Sequence, residues 1–465
     1  MSSNNAREKL VSGSIVKTML SLSIPAILGM VVIGLYNFMD AVFVGRMVGP
    51  EAMTAVKVAY PFTLLNSGVS TLIGTGSASI LSRAIGKKDQ ATVDKIMGNL
   101  VALVLIFSIV IMAVGLIAAE PLLALSGAEG EILGEASRYL RIVFIGSIFV
   151  NFAQASNMVM RGEGKLKSAM LIMGSGAILN IALDPLLILF FGKENGILGA
   201  ALATVTAQLF QAILALVYFV KKSDNVRIHK IGVVGAITKP VLSVGVSAMM
   251  MQVMTMLQQT VMYNTAQRYG GGEWQTILGA ALSLQAFSFI PLWGIAQGYQ
   301  PAIGTNYGAK LFGRVRSFNK AFMIGATILA LVFYIPIMIA PESMLSMFIT
   351  DQGIVAEGAP MLRVLFTSYI TYGVLILAIT FFQAIGKASN AAVLTLLRQV
   401  LLFLPLVLVL PLIFAESIQG IFYAQLITDA IVLVLAIVFM AGAFGKMKKE
   451  ERLLQAENLD TRKVG

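Results

Sequence analysis

The chain has 465 residues, of which 57% are hydrophobic and only 12% charged, with a mean hydropathy of +0.85. A water-facing domain carries roughly 25% charged residues, so most of this surface faces something other than water. The net charge of +11 does not point to nucleic acid, because the basic residues stand in small groups between apolar runs, as loops do against an anionic leaflet. With no cysteine and a single histidine, His229 beside Lys230, the chain lacks the raw material for disulfides, thiolate or histidine metal sites and Ser-His-Asp chemistry.

In chain order, the polar stretch from Met1 to Val11 precedes an apolar run too long for a signal-peptide core, so no cleaved signal is expected. Apolar segments then fall near 15–45, 54–82, 95–119, 138–159, 167–191, 197–220, 239–267, 275–301, 318–340, 359–382, 390–412 and 418–444. Each has the roughly 20 residues of a spanning helix, and none alternates as a spanning β-strand does. The expectation is an all-α integral membrane protein of twelve transmembrane helices. With the first residues cytoplasmic, 26 of the 34 Lys and Arg residues fall inside, seven outside, and one, Arg398, within a span. That imbalance is the positive-inside pattern, with both termini in the cytoplasm. A prokaryotic inner, or plasma, membrane is the expected location.

The two halves repeat with an offset of 222 residues. Leu20-Ser21-Leu22-Ser23-Ile24 answers to Leu242-Ser243-Val244-Gly245-Val246, and Gly76 and Gly86 to Gly298 and Gly308. Leu140-Arg141-Ile142-Val143-Phe144 answers to Leu362-Arg363-Val364-Leu365-Phe366, and Gly164-Lys165 to Gly386-Lys387. Six spans per half make the repeats parallel, two pseudo-symmetric six-helix lobes of the kind that rock about a central substrate. The expected bounds are 1–220 for the N-lobe, 221–238 for a cytoplasmic linker, 239–445 for the C-lobe and 446–465 for a polar cytoplasmic tail.

Ionisable groups within spans are costly and mark function by default; Asp40, Asp184, Arg398 and Asp429 stand out. Tyr36, Asn37 and Asp40 form a polar series in the first helix, with Pro25 below them as a hinge that removes one backbone donor. Counting from Lys17, Asp40 lies roughly 35 Å along the helix, and Asp184 roughly 26 Å beyond Lys167, with Asn180 one turn earlier on its face. Two carboxylates sharing a poorly solvated site repel each other, which makes the pair a proton acceptor; with the amide oxygen they equally suit Na⁺. The plainer readings are an interfacial Asp40 and an Asp184 that is a packing residue beside the kink at Pro185. At the 222-residue offset both positions are apolar, Met262 and Leu406, so the pair belongs to one lobe only. Asp429 and Arg398 read either as a structural ion pair or as part of a substrate or ion site.

The seventh helix carries the methionine-rich run Met249-Met250-Met251, then Met254 and Met256, with Gln252, Gln258 and Gln259. Such a stripe is either core filling or an adaptable surface for varied apolar ligands. Tyr36, Asn37, Met254, Gln258, Gln285 and Asp429 are the cavity candidates, with Gln297 and Gln383 as further uncharged hydrogen-bonding groups. Gly74-Thr75-Gly76 reads as a close helix contact, since no Lys-Ser/Thr follows as a phosphate loop needs.

Pro25 and Asp40, the stretch Gly76 to Ser82-Arg83 and Gly86-Lys87, Arg161-Gly162-Glu163-Gly164-Lys165, and above all Asn180-Ile181-Ala182-Leu183-Asp184-Pro185 together resemble the multidrug and toxic compound extrusion (MATE) family. The resemblance runs over residues 15–445 and is closer to its DinF-like branch, because helix 7 has no acidic residue before Glu273. It implies a V-shaped pair of lobes that exports cationic, amphipathic organic compounds in exchange for H⁺ or Na⁺, with no other cofactor. It also implies a cation site at Asp40, Asn180 and Asp184, joined by Asn157 and Thr204. The expected partners are small organic cations and the lipid bilayer, not nucleic acid, and a monomer is expected. A lipid-linked oligosaccharide flippase of the same superfamily would need cationic groups in its cavity. An integral-membrane transferase or hydrolase would need a cluster of catalytic groups, for which the short loops leave little room.

Overall fold

The computed structural model describes residues 3–125, 130–223, 226–349, 351–414 and 417–464. Every regular element among them is helical. A short helix, α1 (Ser3–Ser12), leads at Gly13 into the first long one, α2 (Ile15–Phe43). There follow α3 (Pro50–Lys87), α4 (Gln90–Leu125), α5 (Gly130–Ile145), α6 (Ser147–Gly162) and α7 (Leu166–Val217). After an extended connection come α8 (Gly235–Gly308), α9 (Phe312–Ile339), α10 (Pro341–Leu345), α11 (Gln352–Thr367), α12 (Tyr369–Ala384), α13 (Ala388–Leu396), α14 (Phe403–Ile413) and α15 (Gln419–Val464).

Nine helical stretches among the described residues are long and apolar enough to cross a bilayer, and α5 with α6, bent by 56°, forms a tenth span. The two longest elements are hairpins rather than rods. α7 breaks at Gly192 (φ 74°, ψ 172°), and the Asn180 and Thr204 side chains meet at 3.4 Å across the turn. An unbroken helix would hold those residues roughly 36 Å apart. α8 breaks at Gly271 (φ 69°, ψ −164°), so that Gln275 Nε2 donates to the Tyr263 carbonyl at 3.2 Å. That hairpin counts as two spans. The 38-residue α3, rich in Ser, Thr and Gly, completes the twelve.

The backbone carries the repeat as clearly as the side chains do. Left-handed residues recur 222 positions apart: Gly49 and Gly271, Lys88 (φ 61°) and Lys310 (φ 57°), Gly164 (φ 83°) and Gly386 (φ 76°). Only the lysines carry a side-chain cost there. The α5–α6 bend falls at Gly146 and the α11–α12 break at Ser368, again 222 apart.

The lobes are pressed together at one end, the end that carries most of the Lys and Arg residues. A Cβ on Gly86 would overlap the Thr305 carbonyl, and one on Gly308 the Arg83 carbonyl. Gly76 lies as tightly against Val241, and Gly245 against Leu72. The first helix of each half crosses to the other half there: Met19, Leu22 and Ala26 of α2 join the C-lobe core, and Ile237 and Val241 of α8 join the N-lobe core. Away from this basic end the lobes part.

This seam tolerates no side chain. Gly86→Val is expected to cost about 1–3 kcal/mol, the usual penalty for overpacking a tight contact, while Gly134→Ala, where a Cβ meets nothing, is expected to be neutral. Thermal unfolding of the purified variants in detergent checks both, and equal midpoints would contradict the seam.

Candidate functional site

Where the lobes part, they leave a central cavity of about 860 Å³. Its walls come from both halves: Met30 of α2, Tyr60, Leu64, Thr71 and Thr75 of α3 and Met158 of α6 face Gln252, Gln259, Tyr263, Phe289 and Trp293 of α8 and Thr380 of α12. The floor lies toward the basic end, at Thr75, Gln300 and Gln383, and the mouth at the opposite end, where Tyr60 is 56% exposed. Among the described residues the lining has no charged side chain. Its polarity comes from amides and hydroxyls, and its rings (Tyr60, Tyr263, Phe289 and Trp293) offer π faces that attract organic cations.

The floor is stitched across the lobes by one face of α3. Ser67, Thr71, Thr75 and Ser79 recur every fourth residue and so line up on one side of the helix. Gln252 Nε2 donates to Ser67 Oγ at 3.1 Å and Thr71 Oγ1 donates to Gln252 Oε1 at 3.3 Å. Gln300 Nε2 donates to the Thr75 carbonyl at 3.3 Å, and Ser79 Oγ donates to the Gln383 carbonyl. This stripe accounts for the many hydroxyls of α3, which face the other lobe rather than lipid.

The acidic pair lies elsewhere, inside the N-lobe. Asp184 is fully buried, and its carboxyl lies beside that of Asp40. The Asn180 amide, 1% exposed, joins them: with Nδ2 toward Asp184 Oδ2 at 3.0 Å, its Oδ1 accepts from the Thr204 backbone N–H at 3.2 Å. The α7 hairpin makes this possible, since Asn180 and Asp184 sit one turn apart on one arm and Thr204 on the other. Among the described residues no ion pair involves either aspartate. A proton, or a small cation among the carboxylate, amide and hydroxyl oxygens, would fill that electrostatic gap.

Asn157 stands apart from this group. Its Nδ2 donates to the Ala169 carbonyl at 2.7 Å, roughly three turns down α7 from Asn180, and its buried Oδ1 has no partner. Pro25 lies within α2, which continues through it, half-buried near the seam. The side chains of Tyr36 and Asn37 lie outside the described residues.

The C-lobe holds the other intramembrane charges. Arg398, in a π-helical turn between α13 and α14, donates through Nε to Asp429 Oδ1 at 2.9 Å, and its guanidinium lies 4.6 Å from the Tyr372 ring centroid. Asp429 Oδ2 also accepts from Ser368 Oγ and Gln425 Nε2, each at 2.9 Å. Gln258 Nε2 donates to Gln425 Oε1 at 3.0 Å, and Gln285 Nε2 to Tyr372 Oη at 2.9 Å. So Gln258, Gln285 and Asp429 come together in one sealed network behind the cavity wall. They do not line the cavity, and neither does the half-buried Met254. Gln297 and Gln383 do line it. The sequence reading passed over the aromatic walls and the α3 stripe; the spacing of Ser67, Thr71, Thr75 and Ser79 was the signal for the latter.

The repeat agrees with what known proteins show. Residues 25–186 and 247–409 each match MatE, two copies that begin 222 residues apart and together cover well over half of the sequence. The chain belongs to the MatE family. It is 25% identical over 422 residues to the multidrug export protein MepA of Staphylococcus aureus (strain MRSA252), spanning 89% of this chain and 91% of that protein. MepA of Staphylococcus saprophyticus is also 25% identical, over 420 residues, 90% of this chain and 92% of that one. Among solved structures, the outward-facing conformation of a multidrug resistance MATE transporter superposes with a TM-score of 0.89 at 25% identity, covering 95% of this chain and 98% of that one. A MATE in its straight conformation gives the same TM-score, identity and coverage. This MatE protein is therefore a multi-pass membrane transporter built as two six-helix lobes.

The buried C-lobe pair has a measurable cost structure. Asp429→Asn, which leaves Arg398 charged and buried, is expected to destabilise by about 3–5 kcal/mol, whereas replacing both, Arg398→Met with Asp429→Leu, is expected to be far milder. Thermal unfolding of the single and double variants decides; a double variant as unstable as the single one would contradict a self-contained pair.

Proposed function

We propose that this transporter exports cationic, amphipathic organic compounds in exchange for H⁺ or Na⁺, coupled through Asp40 and Asp184. The observation that carries the reading is the separation of the two chemistries. The one carboxyl pair facing no counter-cation lies in the N-lobe with Asn180 and Thr204, while the central cavity offers uncharged aromatic, amide and methionine surface to a bulky ligand. Such a ligand need not touch the carboxylates at all. Ion binding and drug binding then compete through conformation rather than for one set of atoms.

The basic end is cytoplasmic in this reading, by the positive-inside pattern, so the cavity opens outward, in keeping with the outward-facing neighbour. A proton or Na⁺ from outside neutralises the Asp40–Asp184 pair, and α2, which carries Asp40 on one side of Pro25 and seam residues on the other, transmits the change. The cavity then releases its ligand outward. One positive charge moving inward across 100 mV supplies roughly 2.3 kcal/mol, about a fiftyfold bias. A pyrophosphate-headed lipid is disfavoured as substrate, because the described cavity lining holds no Lys or Arg to meet it.

The decisive variants are Asp40→Asn and Asp184→Asn. Both are expected to lower dye efflux from a pump-deficient host at least about tenfold, the scale of removing one essential coupling group, at unchanged expression. Repeating the assay with an uncoupler and in Na⁺-free medium separates proton from sodium coupling. Wild-type efflux in both variants would remove the coupling role. A further arm concerns recognition: Trp293→Ala is expected to weaken binding of an aromatic cation by about 1–3 kcal/mol, read by fluorescence titration, while leaving ion-dependent quenching intact.

A further inference from the structure

We infer that α1, the short helix ahead of the first span, is a latch that holds the basic end of the two lobes shut. This small element grips both lobes at once. Arg7 reaches the N-lobe: its Nε donates to the Ile85 carbonyl at 3.1 Å and its Nη2 to the Gly86 carbonyl at 3.2 Å, at the end of α3. The other side is held by the C-lobe. Asn306 Nδ2, at the end of α8, donates to the Leu10 carbonyl at 3.0 Å. Arg314, at the start of α9, donates through Nη2 to the Leu10 carbonyl at 3.1 Å and to the Gly13 carbonyl at 2.7 Å, and through Nε to Asn306 Oδ1 at 3.2 Å. The Leu10 side chain, 3% exposed, belongs to the C-lobe core and also reaches the N-lobe turn at Gly164.

The grip is placed directly over the seam where Gly86 crosses Thr305 and Gly308 crosses Arg83. Opening the basic end moves Ile85 and Gly86 away from Asn306 and Arg314. α1 cannot follow both, so either the Arg7 bonds or the Arg314 bonds must break. Its attachment suits such release. Ten residues long, it is held mainly by charge-assisted bonds to carbonyl oxygens, which water can replace once the seam opens. Gly13, where a Cβ would overlap the Lys9 carbonyl, makes the tight joint to α2. Arg7, Asn306 and Arg314 are thus positioning residues for the closed basic end. None of them contacts the cavity or the acidic pair.

The latch rests on the alternating-access reading above, and it can be tested without transport. The chain has no cysteine, so single reporters give clean signals: Ser82→Cys, fully buried at the seam, and Tyr60→Cys at the cavity mouth. In nanodiscs, without substrate or ion gradient, Arg7→Ala and Arg314→Ala are expected to speed thiol labelling of the Ser82→Cys reporter by about fivefold and to slow the Tyr60→Cys reporter, as a shift between two states requires. Arg7→Lys, which keeps the charge and one bond, is expected to fall between. Unchanged labelling at both reporters overturns the latch, and so does faster labelling at both, which reports loosened packing. Because no ion gradient is applied and no transport is read, a negative result leaves the coupling role of Asp184 standing, and failed coupling leaves the labelling result standing.

Discussion

The architecture depends on two backbones approaching with no side chain between them. Where Gly86 meets Thr305 and Gly308 meets Arg83, the two halves touch at carbonyl distance, and the same contact is made twice because the halves are copies. Two bundles fastened that closely at one end part toward the other. The cavity is the consequence of that divergence. Its floor is the last pair of rows of hydroxyl and amide bonds, Thr75 with Gln300 and Ser79 with Gln383, before the glycines take over.

Charge is then distributed by what each place can satisfy. Asp429 receives donors from Arg398, Ser368 and Gln425, so its ionised form is fully solvated by protein. Asp40 and Asp184 have each other, Asn180 and no paired cation among the described residues. The first arrangement is electrostatically closed and suits a rigid lobe. The second is left without a positive partner, which is what the proposed coupling role calls for. Between them lies a cavity that commits to neither sign and can accept ligands of varied shape through methionine, aromatic and amide surface.

Much of this was legible in the residues. The spans, the lobe repeat and the Asn180–Asp184 face follow from periodicity, because a helix one turn long places those two side chains together whatever else the chain does. The joining of Asp40 to them was an inference from depth along two helices, and the structure does bring the carboxyls together. Residue type alone did not place Gln258 and Gln285, and it left Asp429 open between an ion pair with Arg398 and a cavity role. Each points into the C-lobe, where Gln425, Tyr372 and Arg398 satisfy it. Rotation of a helix about its own axis is set by packing partners, and a single sequence does not name them.

By itself the sequence determined that the chain lives in a bilayer, that it is folded from two parallel copies of six helices, and that one copy alone carries an acidic pair. Those are consequences of composition and spacing, which act locally and survive any arrangement of the helices. Only the tertiary structure decided which end is shut, that the α7 hairpin brings Thr204 to Asn180 and the α8 hairpin brings Gln275 to Tyr263, and that the central cavity and the acidic pair are separate places. Those depend on which faces meet across hundreds of residues, and it is the close approach at glycines, far apart in sequence, that selects them.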